Sequence, residues 1–236
     1  MALPKINNSP MYSLTIPSTK KTVRFRPYLV KEEKILMLAM ESQDPKQMLN
    51  AIADTITSCI EDPVDVNQLT SFDIEYMFIQ LRSKSVGEVA RVGLVCGNCK
   101  HTNEVEIKVD NIAVEYPPEV NKIIKLSDKI QLKMKWPRYN EIVNIPNFNT
   151  MTPTEQSVEL ISLCIDSVQT EEESIRLSDE PKQEVLDFID SLNSQQFKMI
   201  KDFVDSMPKM KHSVATKCTS CGVENTMRLE GIKDFF

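Results

Sequence analysis

Glycine is scarce in this sequence, with 5 residues among 236, and there are only 2 histidines. Loops that hold phosphate groups need closely spaced glycines, and neither G-x-G-x-x-G nor G-x-x-x-x-G-K occurs. The hydrolase motifs G-x-S-x-G and H-E-x-x-H are also absent. No pair of carboxylates has a spacing typical of acid–base chemistry. We therefore expect a protein that is not an enzyme.

An excess of positive charge is also lacking, because the formal net charge is -6 at pH 7. This balance argues against non-specific binding to nucleic acid or to anionic membranes, since both need a basic surface. No stretch approaches the roughly 18 apolar residues of a membrane-spanning helix, and the first residues contain no apolar signal region. We expect a cytosolic chain without a membrane span. In that setting its 6 cysteines indicate metal or thiol chemistry before disulfides.

Two Cys-x-x-Cys pairs, "CGNC" and "CTSC", each stand between two strand-like segments. A pair at the tip of a hairpin points two sulfur atoms at one position, which supplies half of a tetrahedral zinc site. The two pairs are 119 residues apart, counted from position 99 to position 218. The sequence predicts one structural Zn²⁺ per chain, bound by Cys96, Cys99, Cys218 and Cys221.

Alternatives to this zinc site remain open. A redox Cys-x-x-Cys usually begins a helix in a βαβ unit, and no such unit is visible here. Four free thiols and a site shared between two chains are further options, and His101 could replace one thiol as a ligand. Cys59 and Cys164 lie in apolar helical segments, so we interpret them as small buried residues.

The segments before the two cysteine pairs resemble each other. They read LTSFDIEYMFIQLRSKSVGEVARVGLVCGNC and LNSQQFKMIKDFVDSMPKMKHSVATKCTSC. Each begins with a helix cap, Thr70 with Asp73 or Asn193 with Gln196, and continues with an apolar helical face. A break and an alternating strand pattern follow in both. The sequence therefore predicts an α+β fold built by internal duplication: helical units each followed by a small antiparallel cysteine hairpin, with the two hairpins joined by the four-cysteine zinc site.

The duplication predicts the domain organisation. Residues 1–21 form an extended N-terminal arm, 22–115 the first repeat, 116–127 a proline-containing linker and 128–236 the second repeat. Residues 169–183, QTEEESIRLSDEPKQ, account for most of the length difference between the repeats. We interpret this charged segment as a surface insertion or mobile loop.

The beginning of the chain also carries a family resemblance. Residues 3–42 read LPKINNSPMYSLTIPSTKKTVRFRPYLVKEEKILMLAMES. The pattern lies in Pro10, Tyr12, Leu14, Ile16, Pro17, Ser18, Lys20, Val23, Phe25, Arg26, Pro27, Tyr28, Lys31 to Lys34 and Leu36. It resembles the T4-like bacteriophage baseplate protein family, the hub and hub-assembly proteins of contractile-tailed phages. The resemblance covers roughly residues 9–110, and Met37 departs from it where the pattern has a second leucine.

This resemblance implies a non-enzymatic structural or assembly protein of the tail baseplate hub. It implies contacts with other tail proteins, assembly in the host cytoplasm and a place in the virion, and it carries over no catalytic residues. A homo-oligomer is left open. Alternatives are a tail assembly chaperone absent from the mature virion, a zinc-ribbon module that binds nucleic acid, and a thiol oxidoreductase. The nucleic-acid alternative has little support, because Lys100 and Lys108 of the first hairpin stand beside Glu104 and Glu106.

Overall fold

The computed structural model describes residues 9–109, 112, 114–116 and 121–230. Helices and small antiparallel sheets are both present, so the fold is α+β, as predicted. Contacts within the chain divide it into two compact units. The first consists of Met1–Glu115 with Lys209–Phe236, and the second of Tyr116–Pro208.

The first unit begins with an antiparallel pair of short strands, followed by helices. Their bounds are β1 Tyr12–Thr15, β2 Thr22–Phe25, α1 Val30–Ser42, α2 Pro45–Cys59 and α3 Ser71–Ser85, with a 3-10 turn at Val66–Gln68. Asp44 caps α2, and Pro45 suits its first turn because no backbone N–H is needed there. Residues 1–8 of the predicted arm lie outside the described residues.

Helix α3 begins where the sequence predicted, because Thr70 and Asp73 form a capping box. The Asp73 carboxylate is fully buried and accepts hydrogen bonds from the backbone N–H and the hydroxyl of Thr70. It also accepts the backbone N–H and the hydroxyl of Ser18, at 2.8 and 2.6 Å. The same carboxylate therefore starts the helix and attaches the N-terminal segment to it.

Two hairpins complete the first unit. The first is formed by β3 Val89–Val95 and β4 Thr102–Lys108, and the second by β10 Lys209–Lys217 and β11 Glu224–Glu230. Strand β5, Val114–Glu115, pairs with the beginning of β10. Helix α3 and both hairpins share one apolar core, made of Ile79, Ala90, Leu94, Ile107, Val109, Ile112, Met210 and Val214. The two hairpins are therefore packed on common apolar residues although they are distant in sequence.

The described residues of the second unit form a four-stranded antiparallel sheet and four α-helices. The strands are β6 Ile123–Lys125, β7 Gln131–Met134, β8 Ile165–Gln169 and β9 Ser174–Arg176, in that order across the sheet. The helices are α4 Tyr139–Val143, α5 Pro153–Cys164, α6 Lys182–Asp190 and α7 Ser194–Asp205. Trp136 stacks on Phe203 with ring centroids 4.3 Å apart, so the single tryptophan belongs to this core.

The charged segment 169–183 is mostly exposed, in agreement with a surface insertion, but the alternative interpretation as a loop was wrong. It contains the edge strand β9 and a 3-10 turn at Leu177–Asp179. Charged residues are common on edge strands because they hinder pairing with other chains. The repeat boundaries at 22–115 and 128–236 stay a prediction, since a compact unit and a sequence repeat are different divisions of a chain. Within the described ranges, none of the helices combines the length and the apolar character that crossing a membrane requires.

Candidate metal centre

The first Cys-x-x-Cys forms a tight turn between β3 and β4. The backbone N–H of Cys96 donates to the carbonyl of His101 at 2.8 Å, and that of Lys100 donates to the carbonyl of Cys96 at 3.1 Å. Lys100 has a φ of 62°, in the left-handed region. This turn directs both thiols of the pair to the same side of the hairpin tip.

The second Cys-x-x-Cys repeats this turn between β10 and β11. The N–H of Cys218 donates to the carbonyl of Val223, and that of Gly222 donates to the carbonyl of Cys218, both at 2.9 Å. Gly222 has a φ of 72° and occupies the position that Lys100 has in the first turn. Glycine adopts that conformation without steric cost, whereas lysine does not.

The structure brings the four predicted cysteines together. Cys96 and Cys221 have their Sγ atoms 3.8 Å apart, and those of Cys99 and Cys218 are 3.6 Å apart. All four Sγ atoms lie within 4.8 Å of one another. A tetrahedral ion with metal–sulfur bonds of about 2.3 Å requires sulfur atoms about 3.8 Å apart. The four thiols therefore lie close enough to bind one metal ion, and His101 is not part of this cluster.

Two asparagines connect each hairpin to the opposite turn. The Asn103 Oδ1 atom accepts the backbone N–H of Thr219 at 2.9 Å and its hydroxyl at 3.0 Å, while Nδ2 lies 3.7 Å from the Cys218 Sγ. Reciprocally, the Asn225 Oδ1 atom accepts the N–H of Gly97 at 3.1 Å, and Nδ2 lies 3.5 Å from the Cys96 Sγ. Each asparagine thus fixes the other hairpin's first cysteine and the residue after it.

Neither asparagine was predicted from the sequence, although a local signal exists. Asn103 stands four residues after Cys99, and Asn225 stands four residues after Cys221. The shared pattern is therefore C-x-x-C-x-x-x-N, which places the asparagine on the return strand near the turn. Asn103 is only 4% exposed, whereas Asn225 is half-buried.

The turns favour thiolates at the first cysteine of each pair. Hydrogen bonds from the backbone N–H groups of Cys99 and Asn98 and from the Asn225 amide lower the pKa of Cys96 to about 6. The pKa of Cys218 is lowered in the same way, mainly by the backbone N–H groups at the end of its own turn.

The second cysteine of the first pair behaves differently. Although the His101 N–H lowers the pKa of Cys99, burial and hydrogen bonds with the neighbouring thiols outweigh it and raise that pKa to about 11. Four adjacent thiols resist full ionisation because thiolates repel one another. A bound cation would relieve this repulsion, and a closed four-thiolate shell leaves no position for a substrate.

The other two cysteines lie elsewhere, as predicted. Cys59 and Cys164 are buried at the ends of α2 and α5. Burial raises the pKa of Cys59 to about 11 and that of Cys164 to about 12. Thiols with such pKa values stay protonated at neutral pH and are poor nucleophiles.

Comparison with known proteins gives consistent results. A family model described as "T4 bacteriophage base plate protein" matches residues 9–236. The chain is similar to "Baseplate hub assembly protein gp26" of Enterobacteria phage T4, with 22% identity over 225 residues. This alignment covers 95% of the chain and 97% of the relative. No solved structure matches the chain.

Proposed function

Because the chain belongs to the T4 bacteriophage base plate protein family, we propose that it is a non-enzymatic structural or assembly protein of the baseplate hub of a contractile tail. The observation that carries this proposal is the family match, which extends from residue 9 to residue 236 and so includes both cysteine turns. The curated relative named for hub assembly aligns over nearly its whole length, which supports the same role. The chain would act on other tail and hub proteins during assembly in the host cytoplasm.

The proposal includes one structural zinc ion per chain, held by Cys96, Cys99, Cys218 and Cys221. The sulfur separations of 3.6 and 3.8 Å support tetrahedral coordination, and the donor set of four thiolates is the one that structural zinc prefers. The ion would join the two hairpin tips of the first unit. It would supply cohesion rather than reactivity, because a closed shell cannot admit a substrate.

Internal duplication is part of the proposal, and contacts after β2 and β7 support it. Arg26 forms an ion pair with Glu32 at 2.8 Å, and Lys135 forms one with Glu141 at 2.7 Å. Both pairs span six residues, and each glutamate also accepts the backbone N–H of the residue three positions before it. In both proposed repeats, the glutamate carboxylate therefore caps the start of the next helix and binds the preceding basic residue.

Hydrogen bonds at the C-terminal ends of α2 and α5 also support the internal duplication. The backbone N–H of Arg26 donates to the carbonyl of Cys59, the last residue of α2, at 3.0 Å. The backbone N–H of Lys135 donates to the carbonyl of Cys164, the last residue of α5, at 2.8 Å. Together with the equivalent capping boxes and cysteine turns, these contacts support repeats at 22–115 and 128–236.

A first experiment tests the role in assembly. We expect a phage lacking this gene to stop before complete baseplates form, and expression of the chain from a plasmid to restore them. Quantitative mass spectrometry of purified tails then separates two versions of the role. A fixed number of copies per tail supports a structural protein, whereas presence only in assembly intermediates supports a chaperone. Normal numbers of complete tails without the gene would refute the proposal.

A second experiment tests the zinc ion. Native mass spectrometry of the purified chain should give the mass of one zinc per chain, and Cys218→Ser should remove it because one thiolate of a closed shell is lost. Cys59→Ser is the matched control, since Cys59 is a buried cysteine of the same unit outside the cluster, and it should keep the zinc. A zinc-free wild-type chain would refute the metal site but leave the baseplate role standing.

A further inference from the structure

Helix α1 presents an apolar surface to solvent. Its inner side buries Glu32, Leu36 and Ala39. On the outer side, Val30 is 64% exposed, and Met37 and Leu38 are 56% and 66% exposed. We call the outer residues Val30, Lys34, Met37, Leu38 and Glu41 the α1 outer face; they recur at intervals of three and four along one side of the helix.

Such a surface is unusual for a helix that has one side in the core and the other in solvent. A surface helix normally has charged residues opposite its buried side, whereas α1 has large apolar residues on both sides. Ile35 and Met40, which flank the outer face, are also exposed. An exposed apolar patch interrupted by charges is typical of a protein–protein interface, and methionine side chains adapt well to a partner.

The charges on the α1 outer face indicate which partner fits it. Lys34 and Glu41 are exposed, and neither forms an ion pair with the described residues. They are seven residues apart, which corresponds to about 10 Å along a helix. The midpoint between them falls between Met37 and Leu38. The face therefore has a positive end, a negative end and an apolar centre.

The charges on the α1 outer face are self-complementary when two copies of the helix run in opposite directions. If a second α1 packs antiparallel with its midpoint opposite the first, Lys34 of each copy faces Glu41 of the other. The Met37 and Leu38 side chains of both copies then meet at the twofold axis, as an isologous interface requires. We propose that the α1 outer face binds the same face of a second copy of this chain in an antiparallel pair.

The strength of this contact follows from its size. The 13 residues of α1 span about 20 Å, so the contact is small beside a standard interface, which buries about 800 Å² per partner. We therefore expect a reversible dimer that depends on concentration rather than an obligate one. Several copies held near each other on one assembly would favour it further.

Charge reversal tests the pairing. Sedimentation velocity of the full chain over a wide range of concentration should show a monomer–dimer equilibrium. Lys34→Glu or Glu41→Lys alone should shift it strongly to monomer, because each places two pairs of like charges across the twofold. The double variant should regain the dimer. An equimolar mixture of the two single variants should form a heterodimer, since every facing pair is then opposite in charge.

The single charge reversals Lys34→Glu and Glu41→Lys should not destabilise helix α1. A glutamate in the N-terminal half and a lysine in the last turn both agree with the helix dipole, and circular dichroism should confirm unchanged helix content. Lys201→Glu, an exposed charge reversal in the second unit, is the matched control and should leave the dimer unchanged. Leu38→Glu should abolish the dimer, and combining it with the charge reversals at Lys34 and Glu41 should not restore dimer formation.

Three outcomes would overturn the inference. The wild-type chain could remain a monomer at every concentration, or it could self-associate equally well with either reversal. The chain could also remain a monomer and bind a different baseplate protein, with Leu38→Glu abolishing that binding. This result would assign the α1 outer face to the other protein. None of these outcomes affects the proposed function, because the inference does not rest on the baseplate role.

Discussion

The two asparagines at the cysteine turns occupy corresponding positions but differ in burial and in the number of hydrogen bonds, so their replacement should have unequal effects. Asn103→Ala removes a buried side chain whose Oδ1 atom accepts the backbone N–H and the hydroxyl of Thr219, a residue that is itself exposed. Losing the partner of a buried polar group costs about 1 to 3 kcal/mol. Water can reach the Thr219 groups, but the hydrogen bond from the Asn103 amide to the Leu94 carbonyl is buried, so we expect the middle of that range, about 2 kcal/mol.

Asn225→Ala should cost less. Its Oδ1 atom accepts the Gly97 N–H and its amide donates to the Val223 carbonyl, but both hydrogen bonds are exposed, so water can replace the amide. An ordinary hydrogen bond with solvent access contributes about 0.5 to 1.5 kcal/mol, and we expect about 1 kcal/mol here. Asn50→Ala on the exposed side of α2 is the control and should stay within about 0.5 kcal/mol of wild type.

The assay must report on the first unit alone. Hydrogen exchange of the β3, β4 and β10 backbone amides, followed by mass spectrometry, gives the free energy of opening the two hairpins. Trp136 belongs to the core of the second unit, so its fluorescence during urea unfolding serves as an internal control and should not change. Equal losses for Asn103→Ala and Asn225→Ala, or a larger loss for the second, would refute the reasoning from burial.

Three further predictions concern the first unit. Chelation of the proposed zinc, or Cys218→Ser, should speed the hydrogen exchange of backbone amides in both hairpins. The second unit should keep its urea midpoint, measured by Trp136 fluorescence. Burial raises the pKa of Glu75 from 4.5 to about 7, so the stability of the wild-type chain should fall as the pH rises between these values. Glu75→Gln should therefore be more stable by up to about 3 kcal/mol at about pH 8 and no more stable below about pH 4.5; equal gains in urea unfolding at both pH values would contradict this. Asp73→Ala should lower the free energy of urea unfolding by at least about 3 kcal/mol, because Ser18 and Thr70 lose all their hydrogen bonds to one buried carboxylate. A loss below about 1 kcal/mol would show that water replaces the carboxylate.

Local chemistry made part of the structure predictable. Thr70 with Asp73 and Asn193 with Gln196 mark helix starts, because the cap and the residue three positions later satisfy each other's hydrogen bonds. The cysteine turns were predictable for a similar reason. Two thiols with two residues between them at a hairpin tip point to one side. A four-thiolate zinc site needs a second such pair, wherever in the chain that pair stands.

Other features depend on contacts that leave almost no local signal. Asn103 binds Thr219, 116 positions later in the chain, and sequence alone does not show which turn an asparagine faces. Strand β9 lies in a segment whose composition indicates a loop, because an edge strand tolerates charges that a central strand does not. The pairing of β5 with β10 also joins distant segments, and it places the C-terminal hairpin in the first unit.

The connectivity of the first unit gives its four-cysteine centre a physical purpose. This unit is assembled from Met1–Glu115 and Lys209–Phe236, with the whole second unit lying between them in the chain. Bringing Cys99 and Cys218 together closes a loop of 119 residues, which costs about 4 kcal/mol of chain entropy. The apolar residues shared by α3 and the hairpins offset part of that cost, and the asparagine bridges offset more. A metal ion bound only when both turns are in place would make this long-range closure cooperative with the folding of the hairpins. A closed, unreactive shell would suit that purpose, because the ion would only have to hold the distant hairpin in place.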